Sequence, residues 1–382
     1  MRPGESVTVD TTGVDNLIQE LRRRGYRTVG PTMDEDAIGW GEISSVADLP
    51  AGCHDEQEPG RYRLERTDGG ELFGWAVGPA SAKTAFLPYR EVVWTAEIDG
   101  EPVAVAGAGG ESRPLALVGA RPCDVAALGV LDRVLAEGPI PDPAYASSRR
   151  ATFVVAAECT APAATCFCSS MGTGPHAGGG YDLALTELEG EDGHRFVVRV
   201  GTDRGATVLS AVPSVPASAE DLSARDRALS AARAAISRHV DAESLPALLR
   251  GSTESARWEQ IASRCLACGN CTSVCPTCFC TDIRDTTDLA GRVTRSRTWA
   301  SCFDLEHSYL HGGNVRRSIA SRYRQWLTHK LSTWWDQFGM SGCVGCGRCI
   351  TWCPAGIDLT AEVEAMRDDA EKGVGPTPVV VR

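Results

Sequence analysis

The segment 265–280, CLACGNCTSVCPTCFC, holds six cysteines in sixteen residues, and it decides how the rest of the chain is interpreted. Its first four cysteines follow the spacing Cys-x2-Cys-x2-Cys-x3-Cys, and Pro276 comes directly after the fourth. The segment 343–354, CVGCGRCITWCP, repeats both the spacing and the proline. Thiols at a regular, repeated spacing are typical of metal ligands.

This spacing is the one with which bacterial ferredoxins bind [4Fe-4S] clusters. Three cysteines wrap a tight loop around three corners of a cluster, and the fourth cysteine of each run serves the other cluster. We therefore predict two clusters with crossed ligands. The predicted ligands are Cys265, Cys268, Cys271 and Cys353 for the first cluster, and Cys343, Cys346, Cys349 and Cys275 for the second.

Other metal sites fit the spacing poorly. Zinc sites usually present two Cys-x2-Cys pairs and need neither a third cysteine nor a following proline. A c-type haem needs Cys-x-x-Cys-His, which the sequence does not contain. A zinc-binding module stays the alternative of another class, and it predicts a colourless protein.

The composition excludes several classes of function. The 382-residue chain carries a net charge of -12, whereas binding to nucleic acid or to an anionic membrane surface needs an excess of Lys and Arg. No apolar run reaches the roughly 20 residues of a membrane span, and the first residues contain no apolar signal-peptide core. We expect a cytoplasmic protein without a nucleic-acid or membrane partner, whose sixteen cysteines stay reduced.

The pattern of apolar residues predicts an α+β fold. Two segments, 114–119 and 152–157, are typical of buried strands. The residues between them, 125–138, are typical of a helix that Asp124 caps. The strands and the helix together predict a parallel βαβ unit. We predict an N-terminal mixed α/β domain, a helical linker, and a C-terminal ferredoxin-like dicluster domain with a long insertion between its cysteine motifs. The predicted N-terminal domain covers 1–212, the linker 213–260 and the dicluster domain 261–370, and a tail covers 371–382.

Several segments of the chain resemble one known family. That family is the beta subunit of cytosolic bidirectional [NiFe] hydrogenases, also called sulfhydrogenases, and the corresponding dicluster relay chain of anaerobic sulfite reductase is equally similar. The resemblance extends from about residue 114 to about residue 358. The segments that carry it are VGARPCDVAALGVLD (118–132), CTAPAATCFCSSMGTGP (159–175), CPTCFCTDIRD (275–285), WASCFD (299–304), HGGNVRRS (311–318) and CVGCGRCITWCPAGID (343–358).

The resemblance implies an electron-transfer subunit of an oxidoreductase complex. Such a subunit passes electrons between a flavoprotein that handles NAD(P)H and the small, iron–sulfur subunit of a hydrogenase, whose large subunit carries the [NiFe] site. The sequence contains no G-x-G-x-x-G after a strand and no paired nickel-binding Cys-x-x-Cys motifs, so we do not expect H2 activation in this chain. The alternatives are the same relay in anaerobic sulfite reductase and, in another class, a flavin-dependent dehydrogenase subunit with its own FAD.

Four more cysteines stand at the predicted edge of the N-terminal sheet. Cys123 and Cys159 each follow a predicted parallel strand, at the edge where open α/β sheets bind ligands. Cys166 and Cys168 are two residues apart and point to one side if extended. Their placement and the resemblance predict a third [4Fe-4S] cluster on these four cysteines. Buried structural thiols are the alternative, and we do not expect FAD here.

The remaining cysteines exceed the needs of these clusters. We predict packing or supporting roles for Cys278, Cys280 and Cys302, and no role for Cys53. The basic stretch 316–331 in the insertion is interpreted as a solvated helix face, and docking of an acidic partner is the alternative.

Overall fold

The computed structural model describes residues 1–97, 106–107, 113–190 and 193–372. The strands up to residue 216 are β1 (Ser6–Val9), β2 (Arg27–Asp34), β3 (Ala37–Glu42), β4 (Cys53–Glu58), β5 (Arg61–Arg66), β6 (Arg90–Glu97), β7 (Ala106–Gly107), β8 (Leu115–Ala120), β9 (Phe153–Ala157), β10 (Leu183–Leu188), β11 (Arg195–Val200) and β12 (Val215–Pro216). The helices of this stretch are α1 (Thr11–Arg23), α2 (Pro122–Leu135), α3 (Pro143–Ala151) and α4 (Asp203–Leu209).

The rest of the described chain is mainly helical. Its helices are α5 (Ala219–Ala235), α6 (Leu245–Gly251), α7 (Arg257–Ala262), α8 (Asn270–Ser273), α9 (Ile319–Thr328), α10 (Trp334–Phe338), α11 (Arg348–Thr351) and α12 (Leu359–Glu371). Its strands are β13 (Thr281–Thr287), β14 (Arg292–Trp299), β15 (Tyr309–Leu310) and β16 (Gly313–Asn314). A turn of π-helix, His329–Thr333, joins α9 to α10.

One mixed sheet dominates the N-terminal part. In the described residues it has eight strands in the order β12-β1-β11-β10-β9-β8-β2-β3. The central strands β2, β8, β9 and β10 are parallel to their neighbours in this group, and the flanking strands pair antiparallel. All residues of β8, β9 and β10 are buried. This is the burial expected of parallel strands that are covered on both faces.

The carboxyl ends of β8 and β9 lie at the same edge of this sheet, because the two strands are parallel. From that edge the chain continues into Arg121 and Cys123 after β8, and into Glu158 and Cys159 after β9. The buried Arg121 donates from Nε to the main-chain oxygen of Ala76 over 3.1 Å and from Nη1 to that of Glu158 over 3.3 Å. Arg121 therefore holds a neighbouring segment of main chain over the edge where Cys123 and Cys159 lie.

A second sheet joins segments that are far apart in the sequence. Its order is β13-β14-β6-β7, and all its pairs are antiparallel. Strand β6 precedes residue 100, whereas β13 and β14 belong to the insertion between the cysteine motifs. The division into domains at residues 212 and 261 stays a prediction, and the segments on its two sides share this sheet.

The fold class is the predicted one, with a helical C-terminal part and a mixed α/β N-terminal part. The predicted βαβ unit is present as β8, α2 and β9. The predicted helix cap is wrong, because α2 begins at Pro122 with Arg121 in the N-cap position, and Asp124 lies inside the first turn. Proline is well suited to the first helical position, since its φ is already helical. The tail 373–382 lies outside the described residues.

Candidate metal centre

The two cysteine runs follow the same backbone path. In the first run Ala267 and Gly269 have positive φ values of 51° and 73°, and α8 begins at the next residue. In the second run Gly345 and Gly347 occupy the matching positions with φ values of 63° and 77°, and α11 follows in the same way. A non-glycine residue in this region is strained by roughly 1–2 kcal/mol. The chain thus builds one tight loop twice, and accepts strain at Ala267 to do so.

One cavity brings together the four cysteines predicted for the first cluster. Cys353 comes from the second run, so the cavity closes the predicted crossing between the runs. Cys268 is exposed and the other three are half-buried, so this set reaches the protein surface at one corner. The walls consist of Cys265, Cys268, Cys271 and Cys353 together with apolar residues that include Phe303, Tyr323, Trp326, Ile357 and Leu359.

Main-chain amides are aimed at the first sulfur atom of each run. Ala267 N–H donates to Cys265 Sγ over 3.4 Å. Gly345 N–H donates to Cys343 Sγ over the same distance. Hydrogen bonds to a thiolate favour it over the thiol, and the thiolate is the form that binds metal. Each run therefore supplies a donor for its own first ligand.

The second predicted set is more buried than the first, because Cys275 and Cys346 are buried and Cys343 and Cys349 are half-buried. Burial raises the pKa of the Cys343 thiol to about 12 and also raises the pKa values of Cys346 and Cys349. Negative charge on Cys275 adds to the rise at all three thiols. Cys275 therefore lies beside the cysteines of the other run, where the predicted crossing requires it.

Cys275 differs from the other thiols because a buried ammonium contacts it. Lys330 Nζ donates to Cys275 Sγ over 3.2 Å and to Thr277 Oγ1 over 2.9 Å. The hydrogen bond from Cys278 and the charge of Lys330 hold the pKa of Cys275 well below its usual range, although burial acts in the opposite direction. The surrounding protein thus stabilises Cys275 as the anion that a metal ligand must be.

The predicted third group is buried next to the second set. Burial raises the pKa of Cys168 to about 12, and the neighbouring charges of Cys159 and Cys346 raise it further. The loop that carries Cys166 and Cys168 lies directly on the second run, since Phe167 N–H donates to Gly345 O over 2.9 Å. All members of the group expose less than a tenth of their surface; they are Cys123, Cys159, Cys166 and Cys168.

A buried ion pair fixes the second run to the N-terminal sheet. Arg348 of α11 and Asp124 of α2 lie 3.0 Å apart, and neither side chain is more than 2% exposed. Arg348 Nε also donates to Gly78 O over 2.9 Å. Removing one member of such a pair leaves an unpaired buried charge, which costs about 3–5 kcal/mol. Sequence reasoning missed this pair, because its members stand far apart in the chain.

Helix α9 is part of the site, although its sequence suggested a solvated basic face. Tyr323, Trp326 and Leu327 are buried, and the first two line the cavity of the first set. The spacing of these apolar residues was the signal that could have revealed their burial. Among the described atoms, Tyr323 Oη and Trp326 Nε1 have no hydrogen-bond partner. These two donors border a cavity lined by thiols, which fits a bound group that carries sulfur acceptors.

The remaining cysteines of the C-terminal part lie beside both sets: Cys278 contacts Cys275 of the second set, and Cys302 neighbours Cys271 of the first. The main-chain oxygen of Cys278 accepts a hydrogen bond from Lys83 Nζ over 3.0 Å. Burial raises the pKa of Cys302 to about 12, and the neighbouring Cys280 adds to that rise. The supporting role of these three thiols stays a prediction. Cys53 lies apart from them, with its Sγ 3.7 Å from the sulfur of Met33.

In the described residues the thiols are not placed to hold a single metal ion. Four thiolates around one zinc ion would lie about 4 Å from each other, given Zn–S bonds of about 2.3 Å. In the described part of the chain, no three side chains of His, Cys, Asp or Glu lie close enough together to hold one metal ion. The first set instead lines a cavity, which suits a body of iron and sulfide.

Comparison with known proteins agrees with this chemistry. Residues 264–357, which include both cysteine runs and the insertion, match the family model of the 4Fe-4S dicluster domain. Over 255 residues the chain is 34% identical to sulfhydrogenase 2 subunit beta from Pyrococcus furiosus, and the alignment covers 66% of this chain and 74% of that protein. No solved structure matches the chain. In the described residues no helix is both long enough and apolar enough to cross a membrane.

The repeated cysteine loops and the dicluster match define an iron–sulfur electron-transfer protein with two [4Fe-4S] clusters. The predicted number and type of these clusters are thereby confirmed. The extent of its identity with the Pyrococcus protein places the chain in a narrower group: it belongs to the family of sulfhydrogenase beta subunits, as the resemblance indicated.

Proposed function

We propose that the chain relays electrons between an NAD(P)H-linked flavoprotein and the small, iron–sulfur subunit of a [NiFe] hydrogenase. The subunits would form one cytoplasmic complex, with the [NiFe] site on a separate large subunit. The name of the relative, a sulfhydrogenase subunit beta, supports this assignment over the relay of anaerobic sulfite reductase. The structural observation that carries the proposal is the arrangement of the three thiol groups.

The three groups form a continuous row. Cys349 of the second set also lines the cavity of the first set. At the other end, Cys346 of the second set borders the third group, since Cys166 Sγ lies 3.8 Å from the main-chain oxygen of Cys346. Short steps between neighbouring centres are what an electron relay needs, so this arrangement supports a path from the surface to the N-terminal sheet.

We propose the crossed sets as the ligands of the two clusters and the third group as the ligands of a third. Each cluster, when bound, supplies a centre that takes up and releases single electrons. The chain supplies the thiolates, the amide donors and the dry walls. Trp258, Tyr323 and Trp326 are buried around the first set, and exclusion of water by such side chains tunes a cluster's potential.

The exposed corner of the first set is the proposed point of electron exchange with a partner. Cys268 is exposed there, and the adjacent Leu266 exposes 66% of its surface. An exposed apolar side chain beside an exposed ligand suits a protein partner that covers both. The third group is fully buried, so exchange at that end requires a different route.

Anaerobic purification of the tagged chain from its own organism tests the proposal. We expect co-purifying subunits that contain nickel and flavin, and NAD(P)H should bleach the visible absorbance of the clusters in this complex. Cys268→Ala should stop electron transfer from NAD(P)H to protons. Cys53→Ala is the matched control, since Cys53 packs in the core of the N-terminal sheet with its sulfur against Met33, and it should leave the rate unchanged.

Two outcomes would contradict the proposal. A complex with sirohaem and without nickel would make the chain a relay to sulfite. Flavin released when the separated chain is denatured, together with NAD(P)H oxidation by the native chain alone, would make it a dehydrogenase subunit. The first result is read from the cofactor content of the purified complex, and the second from the flavin content and activity of the separated chain.

A further inference from the structure

We propose that Lys330 raises the reduction potential of the cluster held by the second set, and so makes that cluster the preferred resting point of an electron within the relay. The inference rests on the proposed ligand sets. The two clusters have the same ligand spacing, and the inference is that Lys330, which lies outside the cysteine motifs, gives them different reduction potentials. Nothing in the cysteine spacing distinguishes them.

The contacts of Lys330 identify its counter-charge. Its ammonium donates three hydrogen bonds, to Cys275 Sγ over 3.2 Å, to Thr277 Oγ1 over 2.9 Å and to Gly342 O over 3.2 Å. Lys330 is only 6% exposed. A buried charge needs a partner of opposite charge. Of its three partners only the sulfur of Cys275 can carry a negative charge, so the pair is a lysine with a metal-ligating thiolate.

The backbone also fixes Lys330 in place. It lies in the π-helical turn His329–Thr333, and such turns are frequent at functional sites. Gly342 N–H donates to the main-chain oxygen of Lys330 over 2.8 Å, while Lys330 Nζ donates to Gly342 O. Both ends of the lysine are thus tied to the residue that precedes Cys343. The ammonium cannot leave the second set without breaking these contacts.

The choice of residue supports a specific role. The chain contains 38 Lys and Arg residues in total, and its only lysines are Lys83, Lys330 and Lys372. Two of the three, Lys83 and Lys330, are buried beside residues 275–280. A lysine delivers a compact point charge on a flexible stem, whereas arginine spreads its charge over a planar fork. A single thiolate in a narrow buried space is therefore better matched by lysine than by arginine.

The first set has a different environment at the corresponding ligand. Cys353, the crossing cysteine of that set, accepts a main-chain hydrogen bond from Ile357 N–H over 3.3 Å. An amide is a neutral donor, while Lys330 adds a full positive charge. Inside a protein such a charge acts strongly, because the local dielectric is low. A cluster becomes more negative when it gains an electron, so a neighbouring positive charge stabilises the reduced state and raises the potential.

Redox titration of the full chain with its clusters, followed by electron paramagnetic resonance, tests the inference. Lys330→Met removes the charge and the donor, and Lys330→Gln removes the charge but keeps a donor. We expect one midpoint potential to shift to more negative values, further in the Met variant than in the Gln variant, with unchanged iron content. The shifted signal should be the one that Cys343→Ala abolishes. Lys372→Gln, at an exposed lysine, is the matched control and should shift nothing.

The outcomes separate this inference from the relay itself. Full iron content with unchanged potentials in both variants would overturn it and leave the proposed relay intact. Loss of about four irons from both variants would show that Lys330 is needed only to build the site, and would also overturn it. A wild-type chain purified without oxygen that holds no iron would instead refute the clusters on which the proposed function depends.

Discussion

Cys275 follows Cys271 closely in the sequence, yet its thiol lies with the cysteines of the other run. We predict that Cys275→Ala removes about four irons per chain, and that these irons belong to the second set. The physical reason is that, in the proposed ligand sets, the loop 265–271 closes around its own cluster with Cys353 as the fourth ligand. Iron analysis of the purified full chain measures the loss.

Double substitutions show which cluster is lost, because two substitutions among the ligands of one cluster should remove no more iron than one of them alone. Cys275→Ala combined with Cys343→Ala should lose about four irons, whereas Cys275→Ala combined with Cys265→Ala should lose about eight. Cys353→Ala is the mirror-image control. If the Cys265 combination loses no more iron than the single variants, the ligands are not crossed.

At the scale of single residues, the sequence predicts the metal ligands but not the side chains that contact them in the folded protein. The cysteine spacing alone predicts the eight ligands of the two runs, because the ligation rule is local. It does not reveal that Lys330 contacts Cys275, or that Asp124 pairs with Arg348. Both contacts form only when distant segments meet. Asp124 accordingly looked like a helix cap, the role that a local pattern can suggest.

At the scale of elements, Asp221 fastens helix α5 to the sheet. Its carboxylate accepts hydrogen bonds from Ser218, at the start of α5, and from Arg195 of β11 over 2.8 Å. These contacts, of which the Ser218 hydroxyl is the strongest, lower the pKa of Asp221 to about 2. We predict that Asp221→Asn lowers the free energy of unfolding by about 1 kcal/mol near neutral pH, the order of one lost capping interaction, because Asp221 is the N3 residue of the capping box that Ser218 begins.

The pH dependence has a definite sign. The folded-state pKa of Asp221 lies below the unfolded value of about 3.9, so its contribution is complete above about pH 4 and is lost as the pH falls towards 2. Denaturant unfolding of both proteins over this range should show the difference shrinking. Asp226→Asn, at an exposed position of the same helix, is the control. A difference that stays constant down to pH 2 would contradict the assignment.

Elements were predictable where burial is uniform along them. The strands β8 and β9 and the helix α2 follow from apolar runs that any core strand or helix face would show, whereas the second helix between these strands, α3, was not predicted. Helix α9 was misjudged because charged residues interrupt its apolar face, and the buried side rests on a cavity that no local pattern reveals. Its aromatic residues are buried against the cavity of the first set, whose cysteines lie in other segments of the sequence.

At the scale of the whole molecule, the number of irons tests the row of three groups. We predict about twelve irons per chain purified without oxygen, because each of the three sets offers four thiols for a [4Fe-4S] cluster. Cys159→Ala should lower the content to about eight. Iron and sulfide analysis of the full chain measures both values.

Two results would reject the third cluster. A wild-type content of about eight irons would leave the third group as buried structural thiols. Equal losses from Cys159→Ala and Cys53→Ala would show that any buried cysteine has the same effect. Cys53 serves as the control because it is also buried and packs in the core of the N-terminal sheet against Met33.

The contacts between the N-terminal and C-terminal parts of the chain were the least predictable feature of the fold. Sequence composition placed a linker near residue 212, but β6 and β14 pair across that boundary. Gln57 also accepts a hydrogen bond from Thr351 of the second run over 2.7 Å. Pairings over such distances depend on the shape of the folded parts, which apolar periodicity does not encode.

The crossed ligand sets have a consequence for the making of the protein. Cys353 leaves the ribosome long after Cys265, Cys268 and Cys271, with the whole insertion and the second run between them. In the proposed ligand sets, the second cluster lacks its fourth thiolate until Cys349 has been made, and the first until Cys353 has been made. Delivery of iron and sulfide to either cluster would therefore wait until both cysteine runs have been made, and the thiols of the first run would have to stay reduced until then.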